Sequence, residues 1–548
     1  MKLRFYRTLP AVLTVTFTAG MWMGTALAAP SLSRPGQDIQ DLTPQAKAAL
    51  ENNQPALESA PEVHFKIANV RLDAQDLKLD KTALTEILSE SVGVDTTLSA
   101  FNETINKVTA YCRAHGYPAS AAFLPAQDST DGTVLIKVIP GRYGKVHIDN
   151  RSRLREHVIQ GFLKKLRQGD IIRTSSLETA LYSISELSGT KAIGVLSPGT
   201  DFGTSDLTVR IEDGKLSNTV LYAENYGSKS SGRYRYGLQE SLYNVGGTGG
   251  KLNVGALISN SDLHNYYVNY ETPVGHGGTK LGIGYSRMDY ELGGWARARG
   301  MNGTADTISL FGSRPIYHLD DRRLEWRFGY DYRKLEDDQL NWGIWNLNSK
   351  KHSHSVHVGM EGYNRWSGSV LNYNATLTTG TIGGDSDFAK QQLQAGRKEG
   401  RYTKLEASLT GVQAIGHRTD VMMKLSAQVA SRNLDSSEQL YLGGANAVRA
   451  YPQGEGSGDR GALGTLELRY HTNVPGLTLS TYFDAGHTFD GMENDGMTLK
   501  GWGIGVSYTK PEDWFARLDY ARRIGSDSRM SNDANAKGRL WFILGKIW

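Results

Sequence analysis

The sequence predicts a two-part fold: α+β repeats on the N-terminal side, followed by an all-β transmembrane barrel of about 16 antiparallel strands. Three observations carry this. A βααββ pattern of about 75 residues occurs twice in tandem before residue 214. From residue 215 onward helical periodicity stops and strict alternation takes over. Charged residues then fall on every second position of several strands, which is costly in a two-sided apolar core and natural in a wide barrel with a wet interior.

The chain opens with Lys2, Arg4 and Arg7, an apolar run from about Leu9 to Ala26, and Ala26-Leu27-Ala28. A charged start, an apolar core and an A-x-A end are the pattern of a secretory signal peptide, expected over residues 1–28. The formal net charge is +4, and three of the positive charges belong to this segment. So balanced a remainder gives no support to a nucleic-acid partner. Beyond the signal no run of about 18 apolar residues occurs, so helical membrane spans are not expected. The mean hydropathy of −0.42 does not argue against a barrel, whose lumen-facing positions dilute it. The single cysteine, Cys112, excludes an intrachain disulfide and sits in an apolar helical stripe, as an inert buried thiol would.

A polar, proline-punctuated segment follows, from about Pro30 to Pro61. Within it Pro44 to Asn52 begins with proline and is alanine-rich, which predicts a short helix ahead of a flexible linker. In the first repeat, residues 62–141, Val63 to Asn69 reads as a strand. Ala83, Leu84, Ile87 and Leu88 form one helical stripe, and Leu98, Phe101, Ile105, Val108 and Cys112 another. Gly116 and Pro118 stop the second helix, and Thr133 to Ile139 closes the unit. The second repeat, residues 142–214, starts at Lys145 to Ile148. Helical patterns run Arg155 to Leu166 and Ser176 to Leu187, and strands run Ala192 to Leu196 and Leu207 to Glu212.

In the barrel region, residues 215–548, the alternation is clearest at Arg323 to Arg333. Leu324, Trp326, Phe328, Tyr330 and Tyr332 interleave there with arginines and acids. Gly464 to His471 and Trp514 to Tyr520 repeat the pattern. The last strand, Arg539 to Trp548, is apolar on both faces, so its outward side is open.

One stretch stands apart. Val448-Arg449-Ala450-Tyr451-Pro452 lies in a glycine-rich loop from about Leu442 to Gly464, and Tyr482-Phe483-Asp484-Ala485-Gly486 follows a few dozen residues on. On that strand Leu477, Leu479, Thr481 and Phe483 share one face, and Tyr482 and Asp484 the other. Two readings fit. Either the loop folds into the barrel and Arg449 is clamped by an inward Asp484, or Arg449 is a surface residue in an ordinary turn and Asp484 is unrelated to it.

Other chemistry finds no constellation. Gly246 to Lys251 lacks the spacing of a phosphate loop and has Leu252 where Ser or Thr is needed. His352, His354 and His357 are too few to make a metal site and read as lumen or rim residues. No nucleophile–base motif is present. The expectation is a protein with no enzymatic activity, no cofactor and no metal.

These features together resemble the TpsB transporters of two-partner secretion, the ShlB/FhaC/HecB-like haemolysin and adhesin secretion and activation family. That family belongs to a superfamily shared with the barrel-assembly proteins. The resemblance covers essentially the whole mature chain. Val448-Arg449-Ala450-Tyr451 is similar to the family's V-R-G-Y motif of the sixth extracellular loop, with Ala450 in place of glycine. Phe483-Asp484-Ala485-Gly486 is similar to its F-x-D-x-G motif of the thirteenth strand. Asn225 to Arg233 resembles its first hairpin, and Tyr111 to Pro118 the end of a POTRA helix.

The resemblance implies a plug helix and linker over residues 29–61, two POTRA domains in the periplasm, and a sixteen-stranded barrel in the outer membrane of a Gram-negative bacterium. It also implies an Arg449–Asp484 clamp supported by Val448, Tyr451, Phe483 and Gly486. The implied partners are outer-membrane lipid and one large secreted exoprotein of haemolysin, adhesin or contact-dependent toxin type. A monomeric barrel is expected, with both termini on the periplasmic side. The alternative is a barrel-assembly factor of the same superfamily.

Overall fold

A computed structural model describes residues 49–52, 64–74, 76–129, 131–187, 189–293, 300–339, 347–489, 496–525 and 530–548. The expected signal peptide lies outside these residues. So does most of the expected plug helix and linker. Its last residues, Ala49–Asn52, are a strand, β1. β1 lies parallel to a strand of the second repeat, from Ala49 opposite Ile193 to Asn52 opposite Leu196. The helix expected over Pro44 to Asn52 is therefore corrected in its final turn. So short a helix is marginal in water even when alanine-rich, and a sheet edge offers its backbone immediate partners.

The first repeat holds β2 (His64–Lys66), β3 (Asn69–Asp73), helix α1 (Lys81–Ser89), β4 (Asp95–Thr97), helix α2 (Leu98–Ala114), β5 (Ala121–Phe123) and β6 (Thr133–Ile139). Asp80 caps α1 through the Thr82 N–H, and Thr97 caps α2 through the Ala100 N–H. Gly116, at φ +96°, ends α2 in the left-handed region, and the Tyr117 N–H turns back to the Cys112 carbonyl at 3.1 Å. Phe101, Ile105, Val108 and Cys112 pack on the sheet. Burial pushes the Cys112 thiol up to about 11, so it stays protonated and inert.

The second repeat holds β7 (Arg142–Arg151), α3 (Glu156–Leu163), α4 (Thr174–Ser185), β8 (Thr190–Pro198) and β9 (Thr204–Asp213). Its sheet runs β1-β8-β9-β7, so β1 covers the β8 edge and β7 forms the other.

The barrel begins with β10 (Ser217–Glu224), β11 (Arg235–Val245), β12 (Gly250–Ser259), β13 (Leu263–Pro273) and β14 (Lys280–Glu291). It continues with β15 (Met301–His318), β16 (Arg322–Gln339), β17 (Ser349–Trp366), β18 (Ser369–Gly384), helix α5 (Asp387–Ala395), β19 (Gly400–Ala414) and β20 (Thr419–Ala430). Next comes a two-strand ribbon, β21 (Leu440–Tyr441) with β22 (Ser457–Gly458), inside a long loop. It ends with β23 (Gly461–His471), β24 (Leu477–Thr488), β25 (Thr498–Thr509), β26 (Trp514–Arg523) and β27 (Gly538–Ile547). Omitting the ribbon, sixteen antiparallel strands close on themselves, β27 pairing with β10 from Ile547–Val220 to Ile543–Glu224.

Leu238, Ile283, Trp326, Phe328, Leu425 and Leu466 form part of an exposed apolar outer band, while Lys404, Glu467 and Asp519 are buried on the lumen side. The last strand resolves its ambiguity. Leu540, Leu544 and Trp548 face outward and are exposed, and Trp541, Ile543 and Ile547 are buried inside. His352 and His354 also face outward, beyond the apolar band, where His352 meets Asp385 at 2.6 Å and His354 the Tyr330 hydroxyl at 2.7 Å. His357 faces the lumen, with Asp331 at 3.5 Å. The three histidines thus form no common centre.

Strand length is uneven. β15, β16 and β17 each run 18 residues and β18 runs 16, against 8 for β10 and 10 for β27. The short turns at the end facing the repeats keep that end level, so the extra length projects from the far end.

The second repeat docks on the near rim. The Arg155 N–H reaches the Gly247 carbonyl at 2.8 Å, and Thr179 Oγ1 accepts from the His318 N–H at 3.0 Å. Tyr182 stacks on His318 with ring centroids 4.8 Å apart. Glu186 lies 2.6 Å from Arg323 and 3.5 Å from His318. Burial alone would push the Glu186 carboxyl up, but Arg323, with His318 and Lys280, outweighs it and holds the group well below the ordinary carboxylate range.

Candidate functional site

The loop between β20 and β23, the eleventh and twelfth barrel strands, folds back into the lumen. The Val448 N–H returns to the Leu442 carbonyl at 2.8 Å and the Tyr451 N–H to the Val448 carbonyl at 3.1 Å, forming a tight tip. Val448 is fully buried and Tyr451 is 1% exposed. The Tyr451 hydroxyl donates to the Lys500 carbonyl on β25 at 3.2 Å.

Arg449 is the centre of the tip. Its Nε donates to Asp484 Oδ2 at 2.9 Å and its Nη2 to Asp484 Oδ1 at 2.8 Å, a two-pronged pair. Its backbone N–H also reaches Asp484 Oδ2, at 3.1 Å. Asp484 is on β24, the thirteenth barrel strand, and accepts a further bond from Thr465 Oγ1 at 2.9 Å. Nη1 of Arg449 turns to Glu467 at 3.0 Å and Asp519 at 3.5 Å. Arg517 bridges those two acids, at 3.1 Å from Glu467 and 2.6 Å from Asp519. The Arg449 guanidinium lies 3.1 Å from the centroid of the Tyr482 ring. Its carbonyl accepts from Trp541 Nε1 at 2.6 Å, which ties the tip to the closing strand β27.

The structure therefore brings Arg449 and Asp484 together, with Tyr482 on the face the sequence reading gave it, and adds Glu467, Asp519, Arg517 and Trp541, which that reading does not single out. Glu467 and Asp519 were legible only as inward members of alternating strands. The supporting residues divide. Val448 and Gly486 touch across the loop–wall contact: a Cβ on Gly486 would lie 2.7 Å from Leu463 and 3.3 Å from Val448. Phe483 points outward and is exposed, an element of the apolar band rather than of the clamp. Ala450 fits where glycine is expected because its backbone is not in the left-handed region. The close approach is met on the wall instead, at Gly501, where an added Cβ would sit 2.5 Å from that of Ala450.

A clamp in a wet lumen would contribute about 1 kcal/mol. This one is dry: the side chains of Arg449 and Asp484 are 7% and 1% exposed. Leu442, Val448, Tyr451, Leu463 and Leu499 cover it. Removing one partner of such a pair leaves a buried charge uncompensated, at a cost of about 3–5 kcal/mol. Chemically the arrangement holds and positions. Among the described residues no group of three or more metal-ligating side chains converges.

Residues 203–508 match the family described as haemolysin secretion/activation protein ShlB/FhaC/HecB, and residues 65–141 the ShlB-type POTRA domain. The heme/hemopexin transporter protein HuxB of Haemophilus influenzae is 24% identical over 422 residues, covering 76% of this chain and 74% of the relative. The outer membrane transporter CdiB of Dickeya dadantii is 24% identical over 468 residues, covering 83% and 81%. Among solved structures, CdiB from Escherichia coli superposes with a TM-score of 0.70 at 19% identity, covering 90% of this chain and 93% of that one.

Proposed function

The chain belongs to the haemolysin secretion/activation protein family ShlB/FhaC/HecB, and on that premise we propose how this outer-membrane, two-partner secretion transporter exports its partner. The repeats are POTRA domains and lie in the periplasm. The transported substrate is a large, incompletely folded exoprotein. Its N-terminal region is captured at a POTRA sheet edge, where backbone bonds give affinity without demanding a fixed sequence. The chain then enters the barrel, and the inward loop gives way to let it pass.

The observation that carries this reading is the clamp itself. Arg449 holds the loop tip to buried carboxylates on β23, β24 and β26, a contact that can be broken without unfolding the barrel and that suits a loop closing the pore at rest. A wide passive pore needs no such contact and no POTRA domains. The partner is a haemolysin, an adhesin or a contact-dependent toxin, and the transporter works as a monomeric barrel with no cofactor and no catalytic turnover.

Co-expression with the large exoprotein encoded beside it tests the reading. The exoprotein should reach the medium only when this chain is present, and POTRA-containing protein should retain its N-terminal domain in a pull-down. Secretion that is independent of this chain would reject the proposal. Loss of other barrel proteins from the outer membrane, with exoprotein export intact, would favour the assembly-factor alternative.

A further inference from the structure

The lumen loop is anchored at a second place, and with opposite polarity. At its root, Asp435 Oδ2 lies 3.0 Å from Lys351 Nζ on β17. Glu438 lies 2.8 Å from Arg333 on β16 and 3.1 Å from Lys404 on β19. Glu438, Lys404, Asp435 and Lys351 are 2%, 3%, 6% and 8% exposed. The loop thus presents carboxylates to Lys351, Arg333 and Lys404 at its root and a guanidinium to Asp484, Glu467 and Asp519 at its tip, each within a mixed-charge wall that also holds Glu406 and Asp331 at the root and Arg517 at the tip.

The root is also bound by hydrogen bonds from neutral donors. Gln428 Nε2 donates to the Glu438 carbonyl at 3.0 Å, and the Leu434 N–H and Gln439 Nε2 both donate to Asp459 Oδ1 at 2.9 Å. β21 and β22 then pair the outgoing and returning chains. Beyond the ribbon the backbone turns at glycines on both sides of the tip: Gly444 at φ +138° on the way out, and Gly454 and Gly456 at +84° and +64° on the return.

We propose that the root, held by Asp435 and Glu438, is a fixed mount, and that the segment from 445 to 453 is the arm that moves when the pore opens. Freeing the root requires five charged groups, four of them buried, to part together. Freeing the arm requires Arg449 to leave Asp484, Glu467 and Asp519 and the Tyr451 and Trp541 hydrogen bonds to break, and the flanking glycines are placed to absorb the rotation. Asp435 and Glu438 are therefore positioning residues: they set where the arm is hung and how far it can swing. This deepens the transporter reading and rests on it.

Two disulfides separate arm from mount. Val448→Cys/Gly486→Cys ties the arm to β24 and should abolish secretion until a reductant is added. Tyr441→Cys/Ser457→Cys ties the ribbon to itself and should leave secretion within about twofold of the parent. An arm lock that secretes normally, or a ribbon lock that stops export, overturns the proposal.

Single-channel conductance in planar bilayers needs no partner protein, so it decides the matter even if the cysteine pairs do not assemble or the export reading fails. Arg449→Ala should raise open events by at least about tenfold at one conductance level. Adding Asp435→Asn and Glu438→Gln should produce a second, larger level as the whole loop leaves. A triple variant that only repeats the Arg449→Ala level shows that the root does not retain the loop, and overturns the proposal.

Discussion

Arg449 meets Asp484 with its backbone N–H as well as with Nε and Nη2, so one carboxylate fixes both the main chain and the side chain of the loop tip. Arg449→Ala should sharply reduce secretion while leaving a folded, heat-modifiable barrel, because the sixteen-strand ladder does not depend on it. Asp484→Ala should come close to the same loss, with Glu467 and Asp519 as weaker anchors. Lysine at 449 should rescue poorly, since it lacks the planar two-donor fork. At matched protein level the double variant should secrete little less than either single one. If the two losses simply multiply, the residues act independently.

The strand order fixes sidedness. Gln394→Cys on the α5 segment should label from outside intact cells, and Asn473→Cys in the turn between β23 and β24 only after the outer membrane is opened. Native Cys112 should stay silent in both cases. Its thiol titrates near 11, so the thiolate that reacts is absent at neutral pH and grows only as pH rises toward that value. Labelling of residues 394 and 473 from the same side would overturn the topology.

Edge strands are the expected capture points. Proline at Arg71 on β3 or at Phe123 on β5 removes a ladder donor at an edge of the first POTRA sheet and should weaken partner binding severalfold in a pull-down. Proline at His147 on β7 tests the edge of the second. Barrel insertion should survive each change. Unchanged binding in all three would reject strand addition at these edges.

Glu186 holds the second POTRA domain to the barrel. Its carboxyl is depressed in the docked state, so the contribution is fully present above the ordinary carboxylate range and is lost only as pH falls through the depressed value. Docking should therefore hold from neutral to mildly acidic pH. Glu186→Gln should instead raise hydrogen exchange at the amides of His318 and Asp320, which bond to Thr179 and Glu178, at every pH. No change in exchange would place the docking energy elsewhere.

Much of this was legible because alternation and helical stripes report directly on burial. Thr133–Ile139 is a strand from end to end as read, and Leu98 to Cys112 lies on one helix. Arg449 and Asp484 had two readings by pattern alone, and the resemblance of their stretches to the family's loop and strand motifs favoured the clamp. Glu467 and Asp519 obey the pattern of a wet lumen, so nothing ranked them above other inward charges. Asp435 and Glu438 lie in an irregular loop root, where no periodicity assigns a face. Ala49–Asn52 was misjudged because local propensity favours a helix while a vacant sheet edge decides the outcome. Trp541 could not be oriented, since β27 is apolar on both sides until its pairing with β26 sets the register.

The long strands β15 to β18 stand nearly opposite the seam between β27 and β10 in the order of the ring. The outer mouth is consequently not level. It has a parapet on one side and a low sill on the other. A polypeptide leaving it would run beside tall strand wall on the β15 to β18 flank and beside short strands at the seam.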